Sequence, residues 1–160
     1  MTSSVSVASP ELRLSADTTF SWLENGQEIH SDDRLNNTNI KGMIETSIRS
    51  TLVSLGFAFN ASKDESGYQV AYTAALEKDL TDQDILSRFG LLPGYPTIDS
   101  SQSRFERGSL IIYLVDGSQR TVVWRCATQA AVDFHANQES RQKRIARIIH
   151  DMLESLPQSH

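Results

Sequence analysis

The stretch from Gly108 to Phe134 most narrows what this chain can fold into. Ser109 to Val115 (SLIIYLV) and Thr121 onward (TVVWRCATQ) are β-branched and aromatic runs on either side of Asp116-Gly117. Such runs around an Asp-Gly turn predict two adjacent antiparallel strands. The first run is apolar at both parities: Leu110, Ile112 and Leu114 alternate with Ile111, Tyr113 and Val115. The second alternates Val122, Trp124, Cys126, Ala130 and Val132 with Arg125, Gln129 and Asp133, and its length to Phe134 implies a bend or bulge.

Helical periodicity flanks this pair. Ile40, Met43, Ile44, Ile48, Thr51, Leu52 and Leu55 follow i, i+3, i+4, i+7 spacing, so a helix is expected over 38–55, capped by Asn37 and closed by Gly56. A second long helix follows Asn137, with the stripe Ile145, Ile148, Ile149, Met152, Leu153 and Leu156, and Pro157 stops it. Thr81 to Phe89 reads as a short helix ending at Gly90, with Asp82 and Asp84 where the dipole favours acids. Strands are expected at 18–22, with Phe20 and Trp22 on one face, and at 67–78, where Tyr68, Val70, Tyr72, Ala74 and Leu76 alternate with their neighbours. Glu24 to Asn39 reads as a polar loop and Leu91 to Arg104 as an irregular segment. Residues 1–17 form an N-terminal arm, extended or an edge strand. Residues 18–157 form one α+β domain: a two-layer sandwich of about four mainly antiparallel strands with two main helices on one face.

Composition closes off several classes. The 160 residues carry a net charge of −5, which argues against a general nucleic-acid binder, since phosphate neutralisation needs a basic footprint. No apolar run nears the roughly 20 residues of a membrane helix. The first ten residues have neither the charged region nor the apolar core of a signal peptide.

Four pieces together resemble the domain-of-unknown-function 4136 family of bacterial envelope proteins. They are Thr19-Phe-Ser-Trp-Leu23, the helix ending Leu52-Val-Ser-Leu-Gly-Phe57, the strand Tyr68-Gln-Val-Ala-Tyr72, and Gly108 to Asp116 followed eight residues later by Trp124-Arg125. Cys126 departs from the small glycine of that pattern. The resemblance implies a periplasm-facing domain whose precursor is lipid-anchored at the outer membrane through a cysteine this chain lacks. Membrane contact is then expected only through that anchor. The family has no established activity, and no catalytic residues carry over.

The residues themselves offer no catalytic set. His30, His135, His150 and His160 show no metal-ligand spacing, and His30-Ser-Asp-Asp33 reads as a solvated loop in preference to a weak metal site. The serines lack a nucleophile elbow and the glycines form no phosphate loop. Cys126, the only cysteine, reads as a small buried hydrophobe rather than a reactive thiol. No cofactor or metal is expected.

Two surfaces remain as interaction candidates. Ile111, Tyr113, Val115 and Val123 are expected on the outer sheet face, either covered by the arm or the 91–104 segment, or open to a partner or second copy. Arg141, Arg144 and Arg147, with Lys143, lie on the last helix as a solvated face or a docking patch for an acidic partner. Residues 137–151 hold four cations against Glu139 and Asp151, or +2, which leaves −7 on the rest. The function expected is therefore a non-catalytic envelope domain that contacts a protein partner or itself. The alternative is a small-ligand binder or enzyme with a pocket under the 91–104 segment, where Leu91, Leu92 and Tyr95 would act as lining or lid.

Overall fold

The structure is a computed structural model that describes residues 3–10, 12–30, 40–60, 67–75, 80–94, 104–105, 109–129 and 138–157. In chain order the elements are β1 (Ser3–Ala8), β2 (Thr19–His30), α1 (Ile40–Ser54), β3 (Ala58–Phe59), β4 (Tyr68–Ala75), β5 (Leu80–Thr81), α2 (Asp82–Phe89), β6 (Leu92–Pro93), β7 (Arg104–Phe105), β8 (Ser109–Asp116), β9 (Thr121–Gln129) and α3 (Gln138–Leu153).

The class is α+β, as expected, but the sheet is larger and mixed. Seven strands lie in one sheet, in the order β1-β9-β8-β4-β2-β3 with β6 added against β9; β5 and β7 form a separate small ladder. β4, β8, β9 and β1 pair antiparallel. β2 runs parallel to β4, and α1 crosses between them, as same-direction strands require. β3 and β6 also pair parallel to their neighbours.

Two layers were expected and three are present. On one face α1 and α3 pack together over Phe20, Val70, Tyr72, Ile112, Leu114, Trp124 and Cys126. Ile44, Ile48 and Leu52 of α1 and Ile149, Met152 and Leu153 of α3 are the buried stripes that the spacing predicts. Trp124 and the partly buried Ile148 therefore share one core. On the other face α2 buries Ile85, Leu86 and Phe89 against Leu23, Ala71, Ile111, Tyr113, Val115 and Val122. A sheet with apolar residues at both parities needs cover on both sides, and α2 supplies the second.

One boundary moves for a local reason. Residues 24–30 continue β2 instead of forming a loop: Asn25 (φ 61°) and Gly26 sit within an irregularity between Trp22 and Gln27 and do not reverse the chain. The Gln27 amide donates to the Leu23 carbonyl at 2.8 Å across the offset. Gly56, at φ 100°, closes α1 in the left-handed conformation that only glycine adopts without strain. The described residues of the 1–17 arm are tied into the fold: β1 is the edge strand on β9 among the described strands, and Leu12 and Leu14 lie in the larger core. The expected Asn37 cap, Leu76, Tyr95, and residues 130–137 at the end of the second β-run lie outside the described residues.

A polar contact links the sheet to α1 across the larger core. The Tyr72 hydroxyl donates to Glu45 of α1 at 2.6 Å. Burial, with the Glu45 carboxylate beside it, raises the phenol's pKa well above its ordinary value. The unfolded chain therefore ionises first as pH rises past about 10, and the fold loses stability from there upward. Tyr72→Phe is expected to cost about 1.5–3 kcal/mol in urea unfolding at neutral pH. It is also expected to flatten the decline measured between pH 9 and 11.

Candidate functional site

The β8–β9 hairpin places most of the candidate residues. Its register runs Ile111 opposite Ala127, Ile112 opposite Cys126, Tyr113 opposite Arg125 and Leu114 opposite Trp124, then shifts so that Val115 faces Val122. The shift leaves Val123 without a partner on β8 and reverses parity along β9. Trp124 and Cys126 face α1 and α3, while Val122 turns beneath α2. Val123, expected beside Ile111, Tyr113 and Val115, instead packs partly buried on the larger core.

The expected outer patch is therefore corrected as a surface. Ile111, Tyr113 and Val115 are fully buried beneath α2 and Leu91. Among the described residues the cover, expected from the arm or the 91–104 segment, comes from Ile85, Leu86 and Phe89 of α2 together with Leu91. Val7 of β1 packs at its margin. Arg125 is also fully buried on this side, opposite Tyr113. The signal for α2 as the lid of this face was present in the spacing Ile85, Leu86, Phe89.

Residues 91–94 are fastened rather than free. Leu92-Pro93 pair with Thr121-Val122, the Gly94 amide donates to the Val122 carbonyl at 2.7 Å, and Arg120 reaches back to the Phe89 carbonyl at 2.8 Å. A Cβ at Gly94 would lie 2.5 Å from the Val122 oxygen, so only glycine permits this approach. Leu91 is buried, whereas Leu92 is 67% exposed.

The basic residues fare differently. Lys143, Arg144 and Arg147 are exposed along α3, and Arg141 is half-buried. With Ser140, Ile148 and Asp151, the first three line an open groove of about 470 Å³. Lys143 pairs with Glu139 at 3.3 Å, and the exposed His150 pairs with Glu154 at 2.9 Å. Cys126 is buried, and burial pushes its thiol up to about 11 against the weaker opposing influences of Ser155 and Arg125. No group of three metal-ligating side chains occurs among the described residues, and no described helix is long and apolar enough to cross a membrane.

With this geometry in view, the family follows. The sequence matches the DUF4136 family, a domain of unknown function, over residues 5–158, and the chain belongs to it. No protein of curated function matches it in sequence. Among solved structures it is similar to a DUF4136 family protein from Bacteroides thetaiotaomicron, with a TM-score of 0.61 and 12% identity over 98% of this chain and 96% of the other. It is also similar to the PelC dodecamer from Paraburkholderia phytofirmans, with a TM-score of 0.57 and 11% identity over the whole of both chains. At these identities the likeness is one of fold.

The burial of Ile111 sets a measurable expectation. Ile111→Asp places an unpaired carboxylate under α2, and loss of the folded state by circular dichroism is expected, not merely altered assembly. A folded Ile111→Asp protein of wild-type stability would contradict the packing of α2.

Proposed function

We propose that this chain is a non-catalytic domain of the bacterial cell envelope that works by contact with copies of itself or with a protein partner. The carrying observation is the exposed cationic row Lys143, Arg144 and Arg147 beside its groove, on a chain whose net charge is −5. Such a row is complementary to the acidic remainder of another copy. The dodecameric state of the PelC neighbour supports the self-association reading; the envelope reading is carried over from what the family resemblance implies.

Sedimentation velocity over a wide concentration range tests the contact. Wild type is expected to assemble as concentration rises, and less so in high salt, where exposed charges are screened. The double variant Arg144→Glu/Arg147→Glu is expected to weaken assembly at least about tenfold, equivalent to ~1.4 kcal/mol. Identical behaviour of variant and wild type would remove the cationic row from the argument. For location, fractionation of cells producing the native precursor is expected to put the protein in the membrane fraction, released by detergent. A wholly soluble cytoplasmic pool would overturn the envelope reading.

A further inference from the structure

The two edges of the sheet are built differently. At one, β3 is only two residues long, and β2 runs beyond it with Glu24, Glu28 and the irregularity after Trp22. Shortness, charge and offset all discourage pairing with a stranger. At the other edge lies β1, with no strand beyond it among the described residues. Ser3–Ala8 reads SSVSVA, with no charge, proline or glycine.

The inner side of β1 fixes which groups face out. The Ser9 amide donates to the Val123 carbonyl at 2.8 Å. In an antiparallel ladder alternate residues bond inward. Val7, Val5 and Ser3 therefore bond to β9, and Ser4, Ser6 and Ala8 direct their N–H and C=O groups outward. Ser6 is exposed.

We propose that this edge docks a second copy of the chain, the two β1 strands pairing antiparallel about a twofold axis at Ser6 and joining two sheets into one. The sequence from Ser4 to Ala8 is nearly palindromic about Ser6. Pairing there sets Ser4 against Ala8, Val5 against Val7 and Ser6 against Ser6. All three outward residues then find outward partners, giving about six backbone hydrogen bonds by the alternation of the ladder. A twofold axis at Val7 would instead bring Pro10, which has no N–H, opposite Ser4. The strand is uncharged, so two chains that each carry −5 meet with no like charges directly opposed. Such a contact is isologous, the form a twofold dimer requires, and can be one interface of a larger closed assembly. The inference rests on the self-association reading and adds a second surface to the α3 row.

Three variants test it. Ser6→Pro removes only an outward N–H and leaves the bonds to β9, so the monomer is expected to melt as wild type does. Ser6→Lys places charge at the axis without changing the backbone. Both are expected to weaken self-association at least about tenfold in sedimentation. Because Ser6 lies opposite Cys126 on β9, Ser6→Cys is made together with Cys126→Ala; it is expected to yield a disulfide-linked dimer under oxidised glutathione, because facing residues in hydrogen-bonded pairs lie about 5.5 Å apart at Cα, within disulfide reach. Val53→Cys, exposed on α1, serves as the control that does not cross-link. If Ser6→Pro and Ser6→Lys assemble like wild type and Ser6→Cys stays unlinked, the edge is not the interface, although self-association stands. A wild type that stays monomeric at every concentration, with Ser6→Cys unlinked, overturns both readings.

Discussion

Everything in this fold depends on β8 being apolar on both sides. Ile112 and Leu114 look into the core shared by α1 and α3, while Ile111, Tyr113 and Val115 look the other way. A strand of this kind cannot occupy a sheet with one wet face: burying a large aliphatic side chain is worth about 1.5–3 kcal/mol, and exposing three would forfeit several times that. It must sit centrally and be roofed twice. The chain meets this demand with two long helices over one face and an eight-residue helix over the other.

The short roof is held by its ends as well as by its stripe. Arg120, in the left-handed conformation at the end of the β8–β9 turn, donates to the last carbonyl of α2. A cation at a helix C-terminus is favourable for the dipole. The following residues then pair with the start of β9. One turn thus joins the two central strands and also anchors the lid above them. With both faces covered in this way, the α3 row and the sheet margins are among the described surfaces open to other molecules.

The helices were legible because their stripes are long and regular; Ile44, Ile48 and Leu52, and Ile149, Met152 and Leu153, are buried as their spacing implies. The continuation of β2 was not, because Asn25-Gly26 has the composition of a reversal and nothing local distinguishes an offset from a turn. The face of Val123 was illegible in another way. A single unpaired residue reverses parity, so strict alternation sent Val123 to the wrong side although a bulge in that run was foreseen. The covered outer face was readable only by weighing Ile85, Leu86 and Phe89 against the doubly apolar β8. The exposure of Lys143, Arg144 and Arg147 was legible, since a polar helical face needs no tertiary information, whereas the half-burial of Arg141 was not.

That row is not explained by the stability of its own helix. Arg141, Lys143, Arg144 and Arg147 fall in the N-terminal two-thirds of α3, and those nearest its start oppose the dipole there. Glu139 offsets a little of this through its pair with Lys143, but an exposed i, i+4 pair contributes only about 0.3–0.5 kcal/mol. The helix is held by its buried stripe, which leaves the identity of the outward residues almost free of folding constraints. A row of one sign beside a groove, on a chain of the opposite net sign, is then a property of the surface and not of the fold. The uncharged β1 edge is its counterpart, because neither feature stabilises the lone subunit.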